Sequence, residues 1–199
     1  LGEREEGIVF YGLDPKKKTV LVTGGSLGAG SINKAMVRWL ERIAGWEDVQ
    51  VIWQCGSYYH KQLEAELKDR LPENVKFMPF LKRMDLAYAC ADLVVARAGA
   101  GTISELCLLG KAVVLVPSPN VAEDHQTKNA MALVHKQAAV MVKDNEVVER
   151  LGDVMEDLLK NDTERKVLSD HILALAMKDS DEIIVNEILK IINSGQAKI

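Results

Sequence analysis

The stretch Thr19-Val20-Leu21-Val22-Thr23-Gly24-Gly25-Ser26-Leu27-Gly28-Ala29-Gly30 decides the fold. Thr19 to Thr23 has the β-branched, apolar composition of a strand, and Gly24-Gly25 closes it. From Ser31 to Ile43 the residues Ile32, Ala35, Met36, Trp39, Leu40 and Ile43 recur at helical spacing. Strand, glycine-rich turn and amphipathic helix in immediate succession form the opening unit of a parallel sheet whose helices cover its faces.

The same alternation continues outward. Strands are expected at Val49–Trp53, Val75–Met78, Leu93–Ala96, Ala112–Val116 and Ala139–Val142. Helices are expected at Tyr58–Leu71, ended by Pro72, at Met84–Cys90, from the Arg97–Gly101 turn through Leu109, and at Asp124–Lys136, with further helices to about Ile192. The near-continuous apolar character of Ala112–Val116 is that of a strand buried on both faces. The fold class is therefore α/β, a doubly wound Rossmann-like parallel sheet, and such sheets bind ligands where the carboxyl ends of the strands meet loops and helix N-termini.

The 199 residues are 48% hydrophobic and 27% charged, the balance of a globular chain able to bury a full core. Lysine and arginine number 25 against 29 acidic residues, a net charge of −4, so no overall field favours a nucleic-acid backbone. Lys16-Lys17-Lys18, the one basic run, reads as a solvated turn before a strand. Cys55, Cys90 and Cys107 are odd in number and widely separated, which fits a reducing, cytoplasmic setting. The four histidines fall into no metal-binding spacing, so neither metal nor cofactor is expected, and no stretch approaches the ~18 apolar residues of a membrane span. Leu1 in place of an initiator methionine suggests a fragment of a longer protein.

Three motifs carry candidate chemistry. Gly24-Gly25-Ser26-Leu27-Gly28-Ala29-Gly30 offers backbone N–H groups at a helix N-terminus to a diphosphate, or is a turn that merely packs closely; spacing leaves both open. Read from Thr23 it also fits the TGxxxGxG pattern of short-chain dehydrogenases. Against that, the second strand ends in Trp53-Gln54-Cys55-Gly56 with no acidic residue for an adenosine ribose, and no Tyr-x-x-x-Lys occurs. Arg97-Ala98-Gly99-Ala100-Gly101-Thr102-Ile103-Ser104-Glu105 repeats the arrangement. There Glu105 either grips two ribose hydroxyls or closes a capping box with Thr102. Asp124-His125-Gln126-Thr127-Lys128-Asn129 places neutral, directional sugar-binding groups at a helix start. Asp179-Ser180-Asp181 reads as the cap of the last helix rather than a metal-binding pair, and Trp46, Trp53, Tyr58 and Tyr59 as core or helix-face aromatics.

Taken in order, Gly24–Ala29, Phe80-Leu81, Arg97–Glu105 and His125-Gln126-Thr127-Lys128-Asn129-Ala130 resemble the MurG glycosyltransferases of peptidoglycan synthesis, over about Val20 to Val142. The resemblance implies one half of a two-domain GT-B enzyme that moves N-acetylglucosamine from UDP-N-acetylglucosamine to lipid I, forming lipid II. Residues 19–199 would be its donor-binding domain and 1–18 an inter-domain linker remnant and lead-in, with the N-terminal acceptor domain absent. It implies a diphosphate contact at Gly24, Gly25, Ser26 and Gly28 and at Ala100, Gly101 and Thr102. A uracil contact is implied at the backbone around Leu81, a ribose contact at Glu105, and sugar-hydroxyl contacts at His125 and Gln126. Leu27 stands where the family often has glutamine. No catalytic base is expected in this half, and the lipid acceptor and the inner face of the membrane are expected to meet the other.

Overall fold

A computed structural model describes residues 2–196. Helix α1 (Arg4–Tyr11) leads into β1 (Lys18–Thr23), α2 (Gly30–Ile43), β2 (Val49–Gln54), α3 (Ser57–Leu67) and β3 (Val75–Met78). There follow α4 (Met84–Cys90), β4 (Leu93–Ala96), α5 (Ala100–Leu109) and β5 (Val113–Leu115). A short 3-10 turn, Ala122–Asp124, precedes α6 (His125–Val134), β6 (Val140–Met141), α7 (Val147–Lys160), α8 (Asp162–Leu173) and α9 (Ser180–Gln196).

The six strands are all parallel and lie in the order β3-β2-β1-β4-β5-β6. The chain winds one way from β1 to β3, then crosses back to lay β4 on the other side of β1, which puts the topological switch point between β1 and β4. Alternate side chains of each strand enter different cores. Val20, Val22, Val51, Trp53, Val95 and Val114 pack with α2 and α7, whereas Leu21, Ile52, Val94, Ala96 and Leu115 pack with α4, α5 and α6. Both faces are covered, so the period-two alternation is hidden beneath apolar residues on both sides.

Two expected helices differ in extent. The third ends at Leu67 rather than Leu71, and the chain tightens through turns in which Arg70 and Leu71 both donate to the Leu67 carbonyl. Leu71 precedes Pro72, whose ring disfavours helical backbone in the residue before it. The sixth spans His125–Val134, because Asp124 has a φ of 52°, outside the right-handed helical region.

The lead-in is structured. Gly7 lets α1 lie against α4 so closely that a β-carbon there would meet Cys90 Sγ at 2.4 Å and the Leu86 carbonyl oxygen at 2.8 Å. Arg4 donates to the Cys90 carbonyl at 2.6 Å and pairs with Asp92 at 3.2 Å, while the Tyr11 hydroxyl donates to the Arg83 carbonyl at 2.8 Å. Lys16 is exposed in a turn and Lys18 opens β1, paired with Asp162 at 2.9 Å. Trp53 is fully buried and Trp46 and Tyr59 pack against the core, but Tyr58 is exposed. Cys55, Cys90 and Cys107 are buried and free. Helix α9 begins directly after Asp179, whose carbonyl accepts from the Ile183 N–H at 3.0 Å.

Candidate functional site

Thr23 of β1 pairs in register with Ala96 of β4, so the turns that leave these two strands emerge side by side at the switch point. The first is held from beneath by the end of β2. Thr23 donates its hydroxyl to Gln54 Oε1 and accepts from the Gly25 N–H at 3.2 Å. Gln54 Nε2 in turn donates to the Gly25 carbonyl at 2.9 Å. Gly28 has a φ of 86°, and a β-carbon there would stand 2.0 Å from the Cys55 carbonyl oxygen. At Gly24 it would stand 2.4 Å from the Ala29 nitrogen. Close packing therefore accounts for Gly24 and Gly28, while Gly25 and Ser26 form an exposed rim above them, beside Leu27 at 71% exposure. Buried Asn33 of α2 fastens the same region, donating to the Cys55 carbonyl at 2.9 Å and accepting from Trp53 Nε1 at 3.1 Å.

The second turn opens α5 at Ala100, with Gly99 at the cap position and no side chain bonded to the helix end. Thr102 thus lies inside the first turn and cannot cap it. Glu105 instead accepts from the Tyr88 hydroxyl at 3.2 Å, so the Thr102-x-x-Glu105 capping box does not form. Burial, with the Glu105 charge beside it, pushes the Tyr88 hydroxyl well above the usual phenol range and keeps it a donor to the carboxylate. Helix α2, with Ala29 at its cap position, likewise lacks a side-chain cap, and neither helix carries an acidic residue in its first turn. Two helix ends without side-chain caps thus stand side by side at the switch point. Gly101 differs from Gly28: a β-carbon there meets no atom within 4 Å, so internal packing does not call for glycine.

The third turn is delivered by two consecutive non-glycine residues in left-handed backbone, Glu123 with φ 54° and Asp124 with φ 52°. Such a pair costs of order 1–2 kcal/mol per residue and is characteristic of functional loops. It brings His125 and Gln126 to the start of α6. His125 Nδ1 lies 2.8 Å from the Ala122 carbonyl, to which it donates, leaving Nε2 without a partner from that loop. Gln126 Oε1 accepts from the Ser118 N–H at 2.9 Å. Asn129 Nδ2 donates to the Ala98 carbonyl at 3.1 Å, which ties α6 to the second turn. On the opposite flank, Leu81 is buried in the core while exposed Phe80 precedes it in the loop after β3.

The expected site residues therefore lie across the carboxyl end of the sheet, from Leu81 after β3 through Gly24–Gly28 and Ala100–Glu105 to His125-Gln126. Beyond that last turn a cleft of about 450 Å3 is bounded by Pro117, Thr127, Lys143 and Asp144. Gln54, Ser31 and Asp144 had no motif to mark them, and Arg97 stood in a quoted motif without a role. Among the described residues no group of three or more His, Cys, Asp or Glu side chains is placed to hold a metal, and no helix is long and apolar enough to cross a membrane.

Residues 19–184 match the family model of the glycosyltransferase family 28 C-terminal domain. The chain is 52% identical over 193 residues to a UDP-N-acetylglucosamine--N-acetylmuramyl-(pentapeptide) pyrophosphoryl-undecaprenol N-acetylglucosamine transferase of Parabacteroides distasonis, covering 97% of this chain and 52% of the relative. It is 51% identical over 191 residues to the transferase of the same name in Bacteroides fragilis, covering 95% of this chain and 50% of that one. The crystal structure of Acinetobacter baumannii MurG superposes with a TM-score of 0.76 at 30% identity, over 88% of this chain and 52% of that one. The chain thus spans about half the length of these relatives. The matched stretch carries both glycine-rich turns and the His125-Gln126 turn on the sheet expected for them, and the chain belongs to glycosyltransferase family 28, as its C-terminal domain.

Proposed function

We propose that this chain is the donor-binding half of an inverting transferase that moves N-acetylglucosamine from UDP-N-acetylglucosamine to the muramyl sugar of lipid I, giving lipid II. The observation that carries this reading is the convergence of two uncapped helix N-termini, those of α2 and α5, at the β1/β4 switch point. The names of relatives half identical over nearly the whole chain support it. Residues 19–199 are the donor domain, an assignment supported by a family match that begins at residue 19. Residues 1–18 lead into it.

In this reading the diphosphate lies across Gly24, Gly25, Ser26 and Gly28 on one side and Ala100, Gly101 and Thr102 on the other, where backbone N–H groups stabilise the charge that grows on departing UDP. Glu105, exposed and oriented by Tyr88, accepts from both ribose hydroxyls, and the peptide at Leu81 meets uracil. His125 Nε2 and the amide nitrogen of Gln126 address the sugar hydroxyls, their other polar atoms being held by Ala122 and Ser118. The base that deprotonates the acceptor belongs to the half of the relatives' length outside this chain, as do the lipid acceptor contacts and the seat on the inner face of the cell membrane. This chain alone accordingly binds donor without transferring it.

The test is calorimetric titration with UDP-N-acetylglucosamine, against UDP, UDP-glucose and NADH. Tighter binding of the acetylated donor than of UDP-glucose is the expected result. Equal binding of the two hexoses would assign the domain to a different UDP-sugar transferase, and binding of NADH in their place would overturn the reading.

A further inference from the structure

We infer that Arg97 is a positioning residue for the diphosphate, fixing the separation of the two helix N-termini that face it; this rests on the donor-domain reading above. Arg97 is the first residue after β4 and lies three positions ahead of Ala100, where α5 begins. Its Nη2 crosses the switch point to donate to Ser31 Oγ at 3.0 Å, and Ser31 is the second residue of α2. Its Nη1 lies 2.5 Å from Asp144 Oδ1, after β6, and donates to the carbonyls of Val116 and Pro117, after β5, at 3.1 and 3.2 Å. Ser31 Oγ closes the ring by donating to the same Asp144 oxygen at 2.5 Å.

One planar guanidinium, itself directly after β4, thus holds groups that follow three other strands of the sheet, β1, β5 and β6. The β1–β4 ladder ends at the Thr23–Ala96 pair, so it aligns the strands but does not set how far apart the helices beyond them stand. Every partner of Arg97 lies in that region beyond the ladder. The Arg97 and Asp144 side chains are 17% and 22% exposed, so water screens the pair less than it would a surface pair. The bonds to Val116 and Pro117 also hold the loop whose Ser118 N–H engages Gln126, which links the spacing of the phosphate turns to the sugar turn. A lysine keeps the charge that neutralises Asp144, but its single ammonium lacks the rigid fork that reaches Ser31 and the two carbonyls together.

The experiment is calorimetric titration of the unsubstituted chain, Arg97→Lys and Ser31→Ala with UDP and with uridine. Arg97→Lys is expected to weaken UDP about tenfold, the scale of one charge-assisted hydrogen bond, with uridine within about twofold of the parent. Ser31→Ala keeps the guanidinium and its pair with Asp144, and is expected to weaken UDP about threefold with uridine unchanged. Should Arg97→Lys fail to fold, Ser31→Ala decides the matter by itself. Unchanged UDP affinity in both variants would overturn the inference, as would equal losses for UDP and uridine, the mark of a general loss of structure. Loss in Arg97→Lys with full affinity in Ser31→Ala would overturn it too, by assigning the guanidinium to the phosphates directly. If the unsubstituted chain binds no UDP, the donor-domain reading itself falls, a result distinct from a failure of the variants.

Discussion

Gly101→Ala separates a residue kept for folding from one kept for a ligand. Gly101 is the second residue of α5, has no left-handed backbone, and would place a β-carbon in open space with no atom within 4 Å. Glycine in a helix costs about 0.5–1 kcal/mol relative to alanine, so the substitution should stabilise the free protein by up to that amount. For a domain of this length 1 kcal/mol corresponds to about 2–4 °C, and a rise in melting temperature of about 1–4 °C is expected. If a phosphate oxygen approaches the first-turn N–H groups of α5, the same methyl stands in its path. The loss of one charge-assisted hydrogen bond, about 1.5–3 kcal/mol, weakens UDP by a factor of about ten to a hundred or more. Thermal unfolding by circular dichroism and calorimetric titration with UDP, on the same preparation, read both effects. A higher melting temperature with unchanged UDP affinity would refute the placement of the diphosphate at α5. Gly28→Ala supplies the contrast: its φ of 86° and a 2.0 Å approach to the Cys55 carbonyl predict loss of stability and of binding together.

Glu105→Ala should reduce UDP affinity and also lower the melting temperature by a few degrees, because the buried Tyr88 hydroxyl loses its acceptor although no helix cap is lost; the same fall in melting temperature with UDP affinity intact would refute the ribose contact. Alkaline titration probes the core beneath the site. Burial raises the Cys55 thiol from 9.0 to about 11, and burial with the nearby Asp85 charge raises the Tyr11 hydroxyl from 10.0 to about 12. A folded-state value above the unfolded one means that these groups contribute fully below pH 9, and that stability falls as pH rises from 9 to 11 for Cys55 and from 10 to 12 for Tyr11. Melting temperatures measured from pH 8 to 11 should therefore decline less steeply in Cys55→Ala than in the parent, and parallel curves would refute the assignment.

The parallel sheet was legible because each strand is a short apolar run and each crossover a helix with a clear apolar stripe, Ile32 to Ile43 being the plainest. The order of the strands beyond Thr19–Trp53 was not legible at that level, since Val75–Met78 and Leu93–Ala96 are equally short runs with no local signal of which strand each pairs with, yet they lie on opposite sides of β1. Of the site, the three motifs could be read from their glycines and their strand-to-helix position. The capping box was a fair reading of Thr102-x-x-Glu105, but a box requires the threonine at the cap position, and the helix starts two residues earlier. Nothing in the sequence announced Gln54 or Asp144, because their partners, Gly25 and Arg97, are remote in the chain.

The sequence by itself determined what is local: strand and helix periods, glycines where a turn demands them, polar residues at helix starts, and the absence of a charge field suited to nucleic acid. Tertiary structure alone decided which turns meet. Only the crossing back from β3 to β4 sets Thr23 beside Ala96 and turns two separate glycine-rich loops into two walls of one crevice. Packing likewise sorted the glycines, filling the space at Gly28 with the Cys55 carbonyl and leaving it open at Gly101. The physical reason is that periodicity and turn chemistry act over a few residues, whereas contacts such as Arg97 with Asp144 depend on the paths of strands and helices through the whole domain.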